Sequence, residues 1–277
     1  MRSLLALWVA CCVLFVVCCN AQPPQQTSGS LVSVGNYRLF IDCIGPVKSF
    51  PAVVLLSGAG SPASVWRKVQ PGVSQFARVC SYDREGMGQS DIHIPIRQTV
   101  FQISEDLHTL LTNAGVPPPY ILVGHSIGGI YARQFAHDYP SDVAGLVFVD
   151  SADEEQVWRF ERISHSLLFE YKSWPNYSRL GEEGFLPPGT LLKWRQDVPL
   201  IVLEHGITWP QTTFRGMTDS EYKETKGAWD QMQRDLASRS KCGHFRVAEK
   251  SGHYIHLDQP DLVIDAIREV RTMTCPR

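Results

Sequence analysis

An α/β domain, with a mostly parallel sheet and helices on both of its faces, is the fold class this sequence predicts, on three observations. Short apolar runs bounded by Gly, Pro and Asn recur from residue 31 to residue 248, and stretches of helical spacing separate most of them. Several runs, 52–57 and 143–149 among them, are apolar almost throughout, as strands covered on both faces are. One run, 120–123, passes straight into a helical pattern through Gly124, His125, Ser126, Ile127, Gly128 and Gly129. That passage is a tight turn built around a serine.

The elements follow in order. Residues 31–34 and 37–43, joined by Gly35 and Asn36, form a β-hairpin pattern. A strand over 52–57 leads into a loop of Gly58, Ala59, Gly60, Ser61 and Pro62, and 63–76 fits a helix interrupted by Pro71 and Gly72. Residues 77–82 are the next strand, and the Gly-punctuated stretch 83–90 is its loop. Apolar residues at 100, 103, 107, 110 and 111 mark one buried face of a helix over 99–114. The strand at 120–123, a helix over 127–137 and a strand over 143–149 that closes on Asp150 come next. The alternation resumes with a strand at 198–203, a helix at 219–239, a strand at 245–248 and a closing helix at 262–273. Between them, 151–197 breaks the pattern with charge, Gly181, Gly184, the Pro187–Pro188–Gly189 run and eight aromatics from Trp158 to Trp194. It predicts an inserted helical cap over the carboxyl edge of the sheet, its aromatics lining a pocket. The plainer alternative is a surface excursion with a small core of its own.

Length and composition allow one large domain: 277 residues at 44% hydrophobic can bury a full core, in two stretches, 31–150 and 198–277, around the insertion. A formal charge of −2 without a basic run argues against nucleic acid and anionic membrane surfaces as partners. Residues 1–21 stand apart: Arg2, then an apolar run from Leu4 to Cys19 too short for a comfortable span, then polar residues. This predicts a signal peptide cut before Gln22, with Cys19 and Ala21 at minus three and minus one, hence an exported protein. An uncleaved anchor, or lipidation at Cys18 or Cys19, is the alternative, although no Gly, Ala or Ser precedes either cysteine. Residues 22–30, rich in Gln, Pro and Ser, predict a disordered mature terminus. Cys43, Cys80, Cys242 and Cys275 remain, an even count that suggests disulfides in any of three connectivities. Asn176, Tyr177 and Ser178 form one N-glycosylation pattern. No His or Cys pair outside the leader has metal-ligand spacing, so neither metal nor cofactor is expected.

The chemistry centres on Ser126. A serine on a sharp strand-to-helix turn takes positive φ, and the close approach of neighbouring chain there suits Gly124 and Gly128. An ordinary serine in a Gly-rich turn is the competing reading. A hydroxyl attacks only if a base takes its proton, and His253, in Ser251–Gly252–His253–Tyr254 just past the last strand, reaches the same sheet edge. The other histidines have duller explanations: His125 lies inside the turn and is expected to point away, His108 and His137 sit on helices, and His256 is a pocket or supporting group.

With these residues in hand the chain resembles the α/β-hydrolase superfamily over nearly all of 31–273. The residues that carry the resemblance are Leu56 to Gly60, Tyr82–Asp83–Arg84 through Gly88 and Ser90, Gly124 to Gly129, and Gly252–His253. The resemblance implies a mostly parallel eight-stranded sheet, the order nucleophile, acid, histidine, and an oxyanion held by two backbone amides, here those of Ala59 and Ile127. Where relatives place a His before the loop Gly, this chain has Ser57. The acid departs too: Gly206, Ile207, Thr208, Trp209 and Pro210, past the strand at 198–203, include no carboxylate. Asp150 is the expected acid, with Glu204 the alternative; Asp150 as a cap of the inserted region is the structural reading. The family's sheet also implies the pairings Cys43 with Cys80 and Cys242 with Cys275.

The expectation is an exported serine hydrolase acting on a carboxylic ester, a lactone or a similar small acyl substrate through an acyl-enzyme. An aminopeptidase variant would want an acidic group for an amine, for which Glu154, Glu155, Glu161 and Glu170 are all candidates. Epoxide hydrolases and haloalkane dehalogenases of this fold need a carboxylate where Ser126 stands. A binding protein that keeps the pocket with little turnover is the alternative from another class, and cofactor-free oxygen or C–C bond chemistry a third. Oligomeric state is not legible.

Overall fold

The computed structural model describes residues 29–93, 99–164, 191–211 and 216–276. Its apolar runs join into one sheet: β1 (Ser30–Ser33), β2 (Arg38–Ile44), β3 (Ala52–Leu56), β4 (Val79–Tyr82), β5 (Tyr120–His125), β6 (Val143–Val149), β7 (Leu200–His205) and β8 (Gly243–Ala248). The spatial order is β1-β2-β4-β3-β5-β6-β7-β8. β2 runs antiparallel to β1 and β4, and every other pairing is parallel. Every residue of β3, β4, β5 and β7 is buried, which is why these strands read as continuous apolar runs rather than alternating ones.

Among the described residues the α-helices are α1 (Gln70–Val73), α2 (Val100–Asn113), α3 (Gly128–Asp138), α4 (Gln156–Ile163), α5 (Asp219–Ser238), α6 (Ile255–Asp258) and α7 (Pro260–Thr272). On one face Leu107, Leu110, Phe135 and Leu236 from α2, α3 and α5 meet Leu122, Phe148 and Val202 of the sheet. On the other, Trp66, Val73, Val263 and Ile267 meet Val53, Val123 and Ile201. Thr99 caps α2 by accepting the Gln102 N–H (3.1 Å), and Thr218 with Glu221 forms a capping box on α5. A third cluster, Phe160, Met217, Trp229 and Met232, seats α4 on α5.

The expected helix over 63–76 is instead a 3₁₀ turn, Ala63–Trp66, followed by the four-residue α1. Pro71 has no N–H and its ring excludes the carbonyl four residues back, so a helix entering from Ala63 cannot run through it and restarts with Pro71 in its first turn. Ser30, the last residue of the terminus expected to be unstructured, is instead the first of β1 and pairs with Ile41 across the hairpin. β7 runs two residues beyond its apolar run, through Glu204 and His205, held by pairing with Val247 and Ala248.

Disulfides join Cys43 to Cys80, register partners on β2 and β4 (Cα–Cα 4.1 Å), and Cys242 to Cys275 (5.4 Å), the pairings the family's sheet implied. No helix among the described residues is long and apolar enough to cross a membrane. The expected leader over 1–21, most of 22–30, Asn176 and the stretch 165–190 of the expected cap lie outside the described residues.

Candidate active site

The carboxyl ends of the strands build the site. At the end of β5, Ser126 stands at φ 54°, the left-handed conformation that a non-glycine residue adopts only when its surroundings impose it. The imposition is visible: the Ser126 N–H donates to Val149 O (3.2 Å), and its carbonyl accepts from Gly129 and Ala152 N–H (3.0 Å each). A Cβ on Gly124 would lie 2.5 Å from Gly129 Cα, and one on Gly128 2.3 Å from Leu56 O, so neither flanking glycine tolerates a side chain.

At the end of β6, Asp150 also adopts positive φ, 45°, and is fully buried. Its carboxylate collects four N–H donors. His253 Nδ1 lies 2.6 Å from Oδ2, while Oδ1 takes His205 Nδ1 (2.8 Å), the His205 main-chain N–H (3.2 Å) and Trp229 Nε1 (3.3 Å). Burial works against the charge, but the His205 and His253 bonds outweigh it and hold Asp150 below the ordinary carboxylate value. With Nδ1–H of His253 committed to Asp150, its Nε2 keeps a lone pair and can act as a base.

Asp150 caps no helix: the N-cap of α4 is Glu155. Glu204, the alternative acid, makes no hydrogen bond to His253; it is buried on β7 facing Asp230 of α5, and burial, then that neighbouring carboxyl group, push it up to about 7. The structure thus brings His253 to Asp150 and leaves Glu204 aside.

His253 and Ser126 occupy the same edge. The His125 ring packs 4.7 Å from that of His253, with His125 Nε2–H donating to the His253 carbonyl (3.0 Å). His125, expected to point away, is therefore a prop for the histidine loop; burial first, then the neighbouring imidazoles, keep it neutral by holding its pKa well below the ordinary value. His256 is buried beneath it, 4.4 Å from the His125 ring and 4.7 Å from Trp66, and burial takes it down to about 4. Among the described residues Ser126 Oγ makes no hydrogen bond to His253, a contact that commonly tightens only as a substrate is engaged.

The loop after β3 closes over the serine. A Cβ on Gly58 would stand 3.1 Å from Ser126 Cβ. Buried Arg84 donates to Ser57 O (2.6 Å) and Gly58 O (2.7 Å), turning both carbonyls toward itself. Asp83 supports the same loop, accepting from Ala63 N–H (2.5 Å) and Gln89 N–H (2.9 Å), and Ser57 Oγ accepts from Trp66 Nε1 (3.1 Å). Neither the Ala59 N–H nor the Ile127 N–H donates to a partner among the described residues.

Past Asp150 the chain is pinned. Arg133, fully buried on α3, donates to Glu154 (2.7 Å), Ser151 Oγ (3.0 Å) and Ala152 O (2.7 Å); Arg239, the C-cap of α5, adds Glu154 (2.9 Å) and Asp153 (2.8 Å). Burial opposes the Glu154 charge, yet the two guanidinium groups hold it at about 2. Glu154 and Glu155, the latter paired with Arg159 (3.1 Å), are thus engaged rather than offered to a substrate amine, and Glu170 lies outside the described residues. His205, Trp229 and Arg84 carry site roles that the sequence reading did not assign. The signal for His205 was a polar pair, Glu204–His205, closing an otherwise apolar strand.

A half-buried imidazole on a fully buried carboxylate, beside a serine on a left-handed turn at the carboxyl edge of a mostly parallel sheet, defines an α/β hydrolase. The sequence pattern of the alpha/beta hydrolase family matches residues 53–266, and the chain belongs to that family. An AB hydrolase superfamily protein of Gibberella zeae is 23% identical over 295 residues, 84% of this chain and 91% of that one. Probable transporter efuK of Hormonema carpetanum is 36% identical over 140 residues, 47% of this chain but only 20% of efuK. A thermophilic esterase from Thermogutta terrifontis is similar in fold, with a TM-score of 0.63 at 19% identity, covering 88% of this chain and 99% of the esterase.

Proposed function

We propose that this chain is an exported serine hydrolase that cleaves a carboxylic ester, a lactone or a similar small acyl substrate. The observation that carries the reading is the 2.6 Å contact from His253 Nδ1 to the buried Asp150 carboxylate, at the edge where Ser126 is held at positive φ. Ser126 Oγ attacks the acyl carbon as His253 Nε2 takes its proton; Asp150 stabilises the imidazolium, and the Ala59 and Ile127 N–H groups receive the oxyanion. The protonated His253 then returns its proton to the leaving oxygen. Water, activated by the same imidazole, attacks the acyl-serine and frees the acid and Ser126. The esterase likeness in fold and the disulfides, which belong to oxidising compartments, agree with this reading.

The test is labelling with a fluorophosphonate probe followed by a panel of p-nitrophenyl esters and lactones. Labelling at Ser126, lost in Ser126→Ala and His253→Ala, with turnover of some panel member, is the expected result. A folded protein that neither labels nor turns over any of them sinks the reading in favour of a ligand-binding role.

A further inference from the structure

We propose that His205 is a positioning residue of this site: its imidazole shares the Asp150 carboxylate with His253, orients it, and by taking up a proton of its own sets how much of the aspartate's charge His253 sees. The proposal rests on the serine-hydrolase reading above and adds a fourth residue to it.

The geometry is that of one carboxylate between two imidazoles. Asp150 and His205 end neighbouring parallel strands and tie those ends together twice, the Asp150 N–H to Leu203 O (2.7 Å) and the His205 N–H to Asp150 Oδ1 (3.2 Å). His205 Nδ1 straddles the carboxylate, 2.8 Å from Oδ1 and 2.9 Å from Oδ2, while His253 Nδ1 takes Oδ2 alone. Both rings must therefore present Nδ1–H. His205 is buried, with the rings of Trp209 and Trp229 4.5 and 6.0 Å away, so it is held in place and not a surface ligand.

Two imidazoles on one buried carboxylate are coupled through it, since a charge on one disfavours a charge on the other. The charged groups around His205 are Asp150 just past β6, Glu204 beside it on β7, and Asp230 on α5, itself bound to Lys226 (2.8 Å); His253, from the loop after β8, meets it through the shared Asp150. Burial disfavours a charged His205, but the Asp150 bond and the other carboxyl groups outweigh it and raise its pKa. A cationic His205 neutralises Asp150 and so reduces the negative charge that the His253 imidazole faces. Asparagine at 205 can offer an N–H where Nδ1 stood without titrating; alanine offers none.

The experiment compares the folded, disulfide-intact wild type with His205→Asn and His205→Ala. One arm follows the rate of Ser126 labelling by a fluorophosphonate from pH 4.5 to 9; the other counts low-field imidazole N–H resonances in ¹⁵N-histidine-labelled protein. His205→Ala is expected to lower the alkaline plateau about tenfold. His205→Asn is expected to restore it to within about threefold while moving the acid limb up by about one pH unit. Two low-field resonances are expected in the wild type and one in either variant. Plateaus and acid limbs that coincide in all three proteins, or a single low-field resonance in the wild type, overturn the proposal. If His205→Ala does not fold, the acid limb of His205→Asn decides. Labelling that survives Ser126→Ala fails the nucleophile reading instead, and the resonance count still decides whether the carboxylate is shared.

Discussion

Replacing Asp150 by Asn gives the sharpest test of the site, because the structure dictates which way the amide must turn. Three N–H groups converge on Oδ1, from the His205 ring, the His205 main chain and Trp229. The only oxygen of the asparagine side chain is drawn to that position, leaving its NH₂ where Oδ2 faced His253. Two donors cannot face each other at 2.6 Å, so His253 must move its proton to Nε2. That is the nitrogen meant to accept the serine proton. The base is then lost with the ring still in place, a wrong-tautomer defect that costs about 10³–10⁴-fold in kcat, or roughly 4–5.5 kcal/mol. The assay is kcat and KM on the best p-nitrophenyl ester with the fluorophosphonate labelling rate beside them, at pH 8, on protein shown to unfold cooperatively. KM should change little. An Asp150→Asn enzyme within tenfold of wild type, alongside a Glu204→Gln enzyme that is crippled, would refute the assignment of the acid and the tautomer argument together.

Three further outcomes follow from the same contacts. Arg84→Met removes the two donors that hold the Ser57 and Gly58 carbonyls, so kcat should fall about ten- to a hundredfold with KM nearly unchanged; an unaltered kcat detaches the loop from oxyanion stabilisation. Glu204 is raised from 4.5 to about 7, so the folded chain keeps a proton that the unfolded chain releases: this contribution is complete below pH 4.5 and is lost as pH rises through 7. Glu204→Gln should therefore stabilise the protein at pH 8, by about 1–3 kcal/mol, with no gain at pH 4.5, as read from urea unfolding at both pH values. Replacing Cys43 and Cys80 by Ala opens a loop of 37 residues and should cost about 4 kcal/mol in urea unfolding; a loss under 1 kcal/mol contradicts a closed loop in the native protein.

The sequence alone determined what depends on local spacing. Gly124 and Gly128 around Ser126, an apolar strand before and a helical pattern after, specify a left-handed corner, because only that backbone lets a strand pass at once into a helix packed on it. His253 was singled out because it lies five residues past the last strand, and the run from Asp83 to Ser90 because its glycines mark a constrained loop, although not that Arg84 would grip the neighbouring one. What tertiary structure decided was the partner of each polar side chain. Asp150, Glu204 and His205 all sit at the ends of strands buried on both faces, where no alternation of apolar and polar residues reveals which way a side chain points. Pairing β7 in parallel with β6 turns His205 onto Asp150 and sends Glu204 toward Asp230. A carboxylate takes its role from the donors that converge on it, and these come from residues 55, 79 and 103 positions away, a convergence that exists only once the sheet is assembled.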